Sequence, residues 1–141
     1  MDDKQIDVSI VDQWNIEDIV SLYKAGNWWE KEADPTFIHS LIKNSFAFVV
    51  AVNKKTNIAV GMGRVLSDGV SDAYIQDVVV LKEWRGKGVG KMIVKKLIYY
   101  CLSKNVNWVA LISEPNQEGF YLPLGFKEMK QYVPMKYENV I

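Results

Sequence analysis

The chain has 141 residues, 49% of them hydrophobic and 24% charged, with 17 basic residues against 17 acidic ones and a formal net charge of zero. That length predicts one domain over residues 1–141 with enough chain to bury a core. The charge balance speaks against a nucleic-acid surface, no apolar run approaches the ~20 residues of a membrane span, and one cysteine with one histidine leaves neither a disulfide framework nor a Cys/His zinc site.

The opening Met1-Asp2-Asp3-Lys4 is polar and does not read as a signal peptide. With the single cysteine it points to a reducing, cytoplasmic setting. Gln5 to Val11 alternates as a first strand, with Ile6, Val8 and Ile10 on one side. Trp14 to Ala25 carries Ile16, Ile19, Val20 and Tyr23 at helical spacing, with Asn15 or Asp12 as cap and Gly26-Asn27 as its end. Next come Trp28 and Trp29, two neighbours that one regular element cannot turn to the core together, among the acids Glu30, Glu32 and Asp34. Pro35 is expected to open a second helix with Asp34 as its N-cap and Phe37, Ile38, Leu41 and Ile42 on its buried side. His39 lies between those core positions and reads as a surface or capping histidine.

Three strands follow as a meander: Ser45 to Val52, Ile58 to Leu66, and a central strand from Ala73 to Leu81. Gly61 and Gly63 thin one face of the middle strand. The central strand is apolar apart from Gln76 and Asp77, and an acid inside a strand is expensive to bury without a partner or a task. Asp77 therefore either pairs with Arg64 on the neighbouring strand, which is the preferred reading, or binds a substrate ammonium, or acts as a base.

The centre of the chain is what comes next: Arg85-Gly86-Lys87-Gly88-Val89-Gly90-Lys91, followed by a helix whose apolar line is Val89, Ile93, Leu97 and Cys101. Cys101 on that line reads as core. Glycines let the backbone adopt positive φ and let a ligand approach the main chain. The first N–H groups of a helix lack partners inside it, so the turn is suited to phosphate. A Walker loop fails, because Arg85 stands where its first glycine belongs and Met92 where its hydroxyl belongs. A dinucleotide fingerprint fails at Lys91, which holds the third glycine's position. A plain connecting turn is the bland alternative.

Beyond the helix, Trp108 to Ile112 is a short strand, and reaching it through a helix implies a parallel crossover. Pro115 to Tyr121 is a short helix or turn, and Gln131 to Lys136 is expected as a last strand.

Arg85, Gly88 and Gly90 after a hydrophobic strand resemble the acyl-CoA-binding motif of the GCN5-related N-acetyltransferases (GNAT). In that motif an Arg or Gln precedes two free positions, a Gly, one free position and a Gly or Ala. Gly119-Phe120-Tyr121-Leu122-Pro123-Leu124-Gly125-Phe126 resembles the second signature of the family, Phe-Tyr, three free positions, Gly-Phe. The two lie in the family's order with a strand between them, and the helices, meander and crossover follow that order too. The resemblance implies a single-domain α/β (α+β) acyl-CoA N-acyltransferase fold, a mixed and mostly antiparallel sheet flanked by helices.

It also implies acetyl-CoA as cosubstrate, with no metal, and an amine acceptor. The pantetheine arm would lie along the central strand at Val78, Val79 and Val80, and the pyrophosphate on the backbone of Arg85, Gly86, Lys87, Gly88, Val89, Gly90 and Lys91. The thioester oxygen would take an N–H from Val78 or Val80 if the strand carries a bulge. The loop between the first two helices would line the acceptor pocket, with Trp28 and Trp29 as walls and Arg64 near the substrate. The bland reading is one tryptophan on the sheet and acids in solvent. Tyr121 would protonate the leaving thiolate, or else only pack on the cofactor. One departure weakens a contact: where many members carry an asparagine seven residues before the tyrosine, Glu114 stands, and Asn116 is the nearest substitute.

The expected activity is acetyl transfer to a small primary amine by direct attack in a ternary complex, since the sole cysteine reads as buried. A protein lysine or N-terminus is the alternative acceptor, and a non-catalytic acyl-CoA-binding module the alternative class. No nucleic-acid or membrane partner is expected, and a homodimer is an assembly common in look-alikes.

Overall fold

A computed structural model describes residues 5–139; the expectation for Met1 to Lys4 lies outside them. The chain divides into two compact units, one up to Leu111 and one from Ile112 on.

The first unit holds a five-stranded sheet in the order β1-β2-β3-β4-β5. Its strands are β1 (Ile6–Ile10), β2 (Ala47–Asn53), β3 (Ile58–Ser67), β4 (Asp72–Val80) and β5 (Trp108–Leu111). The first three pairings are antiparallel and β4 with β5 is parallel. The helices are α1 (Ile16–Ala25), α2 (Phe37–Asn44) and α3 (Val89–Ser103). The mixed, mostly antiparallel sheet flanked by helices is thus present.

Both faces of the sheet are covered, which is why β2 is buried along nearly its whole length. Ile19, Leu22 and Tyr23 of α1 and Ile38 and Ile42 of α2 pack with Phe48, Val50, Ala59, Met62 and Val79. Met62 turns to that cluster, while its neighbours Gly61 and Gly63 face Ile93 and Leu97 of α3 on the other side. Val89, Ile93, Leu97 and Cys101 are all buried, as the period-4 line predicts. A Cβ at Gly63 would stand 2.9 Å from Ile93 Cγ2, 3.1 Å from Leu97 Cδ1 and 3.2 Å from Val78 Cγ2. Three packed side chains would have to give at once. Gly63→Ala is therefore expected to destabilise by about 1–3 kcal/mol, read as a fall in Tm.

Three local expectations are corrected. α2 begins at Phe37, not Pro35. Asp34 does not cap it; its carboxylate accepts from the Thr36 N–H at 3.0 Å and the Thr36 hydroxyl at 2.9 Å, closing a tight turn ahead of the helix. Phe46 precedes β2 and packs edge-on against Tyr100 of α3, 5.2 Å between centroids.

The second unit holds α4 (Glu118–Tyr121) and one turn of 3-10 helix, Leu122–Leu124, that ends on Gly125 at φ 103°. The predicted strand from Gln131 to Lys136 does not form. Its alternating residues, Val133 and Met135, are exposed, so the pattern has no sheet face to bury against. A strand needs a partner as well as a pattern.

Candidate active site

Central strand β4 carries the site. Its ladder with β5 runs from Asp72↔Trp108 to Ile75↔Leu111 and stops. Its ladder with β3 continues to Gly61↔Val80. Gln76, Val79 and Val80 thus pair with β3, and nothing from Gln76 to Val80 pairs with β5, which is the opening an added strand requires.

Within that stretch the strand is bulged. Arg64 pairs with Gln76 and Met62 with Val79, so Asp77 and Val78 together oppose Gly63. Asp77 stands at φ 59° in the left-handed region, which aspartate enters more readily than most residues. The bulge that sequence alone left open is present, and it lies beside Val78.

The ion pair expected of Asp77 is present too. Arg64 Nε donates to Asp77 Oδ2 at 2.7 Å, and Arg64 Nη2 reaches Gln76 Oε1 at 3.5 Å. A third group was not foreseen. The Tyr23 hydroxyl, from the last turns of α1, donates to the same Asp77 Oδ2 at 2.8 Å. Burial, then the charge of Asp77 and the hydrogen bond to it, push the Tyr23 phenol well above its usual value, so it stays a donor. Nothing local in the sequence marks Tyr23. It sits on a buried helix line and lies 54 residues from Asp77, so it reads as an ordinary core aromatic.

Past β4, one turn of 3-10 helix, Lys82–Trp84, leads into the glycine turn. Gly86 and Gly88 have φ of 75° and 83°, and a Cβ built on either meets nothing within 4 Å. Their conformations demand glycine and their α-carbons face open space, as a loop that admits a ligand to its backbone would. Gly90 lies inside α3, for which Gly88 is the cap residue. The first bond of that helix start runs from the Met92 N–H to the Gly88 carbonyl at 3.1 Å. The N–H groups of Val89, Gly90 and Lys91 therefore have no acceptor inside the helix. Lys87 and Lys91 are exposed beside them, and Lys87 Nζ lies 4.9 Å over the Trp84 ring. Arg85 is partly spent on structure: its Nε donates to the Val80 carbonyl at 2.8 Å and its Nη2 to the Ala25 carbonyl at 3.4 Å. It ties the end of β4 to the end of α1.

Trp28 and Trp29 follow α1 and are both half-buried against the α1–α2 core, which an irregular loop permits and a helix or strand would not. Trp29 stacks on Phe37 at 5.7 Å, and Tyr23 lies 6.3 Å from Trp28 and 6.4 Å from Trp29, centroid to centroid. The aromatic cluster therefore joins the loop to the residue that bonds Asp77. His39 is exposed and its Nδ1 lies 2.8 Å from Gln13 Oε1. Burial pushes the Cys101 thiol up, which leaves it a poor nucleophile. In the second unit, Tyr121 lies between Phe120 and Phe126 at 4.9 Å and 5.7 Å. Burial, and then the charge of Glu114, push its phenol above the usual value. Asn116 takes a left-handed conformation at φ 66° just ahead of α4. Among the described residues no group of three or more His, Cys, Asp or Glu is placed to hold a metal ion.

An open strand edge, a bulge and a helix start whose first N–H groups have no acceptor inside the helix all lie on one strand–turn–helix run. The comparisons name the family. The model of the acetyltransferase (GNAT) family matches residues 12–126, and the chain belongs to that family. The chain is 33% identical over 112 residues to the chloroplastic GCN5-related N-acetyltransferase 1 of Arabidopsis thaliana, a match covering 79% of this chain and 56% of that protein. The chain thus spans little more than half of that relative's length. A probable acetyltransferase of unknown function from methicillin-resistant Staphylococcus aureus shares the fold. Its TM-score is 0.78 at 23% identity, over 95% of this chain and 98% of that one. So does AAC(6')-Iy, solved with the bisubstrate analogue CoA-S-monomethyl-acetylneamine, with a TM-score of 0.74 at 17% identity over 95% and 99% of the chains. GNAT acetyltransferases in general take acetyl-CoA and an amine acceptor.

Proposed function

We propose that the chain is an acetyl-CoA-dependent N-acetyltransferase acting on a small primary amine. The observation that carries this reading is the run of β4 itself, unpaired to β5 after Ile75, bulged at Asp77 and ending in the glycine turn.

The residues fit the cosubstrate. The pantetheine would be held by backbone groups of Val78, Val79 and Val80, and the pyrophosphate by the free N–H groups at the start of α3 with Lys87 and Lys91. When bound, acetyl-CoA supplies an activated acyl group on a good leaving thiolate. The N–H beside the bulge, at Val78, is suited to the thioester oxygen as negative charge grows on it. Asp77 Oδ1 takes none of the bonds that hold Oδ2. It is suited to the acceptor's ammonium and to its first proton. The aromatic wall of Trp28, Trp29 and Phe37 favours an acceptor with an apolar body behind its amine. The neutral nitrogen attacks the carbonyl carbon and the C–S bond breaks. Tyr121, kept protonated by its raised pKa, is assigned the proton that the thiolate takes. The amine gives up two protons in all and the thiol keeps one, so one reaches solvent. Cys101 is buried, which favours direct attack over an acetyl-enzyme.

The test has two stages. Acetyl-CoA and CoA at 100 times Kd should each stabilise the protein by about 2.7 kcal/mol, read as a rise in Tm, while ATP should not. A panel of arylalkyl and alkyl monoamines should then release CoA thiol faster than a lysine peptide does. Preference for the peptide moves the acceptor to protein. Binding without thiol release from any acceptor leaves an acyl-CoA-binding module. Stabilisation by ATP alone overturns the reading.

A further inference from the structure

Tyr23 belongs to none of the motifs, yet it reaches the centre of the site. Asp77 sits in the left-handed region, where a side chain is held only by what surrounds it. Two donors from two different elements meet one of its oxygens: the Tyr23 hydroxyl from α1 and Arg64 Nε from β3, both on Oδ2. Among the described residues, these are the titratable and charged groups bonded to it. On the other face of the sheet, α3 presents the apolar Ile93 and Leu97 to Gly63, the residue opposite the bulge. Two donors fixed on one oxygen set the plane of the carboxylate and aim the other oxygen. The Tyr23 ring is 7% exposed and wedged against Trp28 and Trp29, so the hydroxyl has little freedom to move away.

We propose that Tyr23 is a positioning residue of the transfer step: with Arg64 it pins Oδ2 of Asp77, which locks the β4 bulge and leaves Oδ1 as the oxygen that meets the acceptor amine. The inference rests on the acetyltransferase reading above. It adds that the acceptor loop and the bulge are one mechanical unit, since the same tyrosine packs on Trp28 and Trp29 and bonds Asp77. An acceptor that shifts those tryptophans thereby shifts the carboxylate it must use.

The test is Tyr23→Phe, which keeps the ring and its packing and removes only the hydroxyl. Two readouts separate positioning from plain stability. The 13C signal of the Asp77 carboxyl, read by NMR at neutral pH in protein labelled at aspartate and assigned with Asp77→Asn, should change position in Tyr23→Phe, because one of the two donors to Oδ2 is gone. With the fastest amine of the panel, kcat should fall about 10-fold with KM for acetyl-CoA unchanged. Arg64→Lys keeps a charge beside Asp77 and should move the carboxyl signal less than Arg64→Gln does. Should Tyr23→Phe lower only Tm, with the carboxyl signal and kcat as in the wild type, Tyr23 is core and the proposal is wrong. The carboxyl signal needs no acceptor: if no amine reacts, the acetyltransferase reading fails, and an unmoved carboxyl signal still overturns the pinning on its own.

Discussion

A Gly88→Val variant is expected to fold and to lose acetyl-CoA binding by roughly 10²–10⁴-fold. The two halves of that expectation come from one geometry. Gly88 stands at φ 83°, and a Cβ there touches nothing within 4 Å. The folded protein therefore loses only the cost of a left-handed β-branched residue, about 1–2 kcal/mol or somewhat more. The ligand loses more. Valine at the cap of α3 either stays left-handed at that cost, with its side chain in the space a ligand would enter, or relaxes toward negative φ, which turns away the N–H groups that follow. Each such N–H given to a phosphate is a charge-assisted bond worth about 1.5–3 kcal/mol, and two are at stake. At an acetyl-CoA concentration that stabilises the wild type by about 2.7 kcal/mol, the variant should gain less than about 0.4 kcal/mol. Melting curves with and without the ligand read both halves in one experiment. Full stabilisation of the variant would mean that the glycine turn does not carry the phosphate.

That variant can be chosen from the sequence alone. Glycines at alternate positions after a β-branched strand and before a 3.6-period apolar line are local signals, and local signals survive without a structure. The meander and the parallel crossover were legible for the same reason. So was the Arg64–Asp77 pair, because an acid inside an apolar strand demands a partner and a neighbouring strand offered one. Three features were not legible. The bulge depends on how β3 and β4 register across a turn, so no single strand's pattern contains it. Tyr23 reaches Asp77 only because α1 is laid over β4, a fact of packing. The segment from Gln131 to Lys136 has a strand's alternation but no strand, because the alternation states a preference and a partner decides.

Asp77 shows how these levels combine. Its left-handed φ, its ion pair and its tyrosine are separate costs or gains taken singly. A non-glycine residue at positive φ is disfavoured, an aspartate at 22% side-chain exposure is partly desolvated, and a tyrosine hydroxyl in a core needs an acceptor. Placed together they satisfy one another: the tyrosine and the arginine supply the donors the carboxylate needs, and their fixed positions hold the backbone in the bulge. A strained strand centre with its polar groups satisfied is the arrangement expected where a backbone N–H must be turned away from its ladder toward a ligand.

The second large effect is expected at Tyr121. If its phenol delivers the proton to the departing thiolate, Tyr121→Phe should lower kcat by about 10²-fold, with acetyl-CoA stabilisation unchanged because the ring remains. The pH dependence gives the sharper test. Burial and the Glu114 charge both disfavour the phenolate, so the folded protein holds the Tyr121 proton past the ordinary phenol value of about 10. A general acid works only while it is protonated. The alkaline fall of kcat due to Tyr121 therefore lies above pH 10, and kcat should not fall for that reason between pH 7 and 9.5. Removing the negative charge with Glu114→Gln should bring that alkaline limb down, since one of the two causes of the raised value is gone. A wild-type kcat that is unchanged in Tyr121→Phe across this range would make the tyrosine a packing residue of its own short helix, and would hand the proton to water.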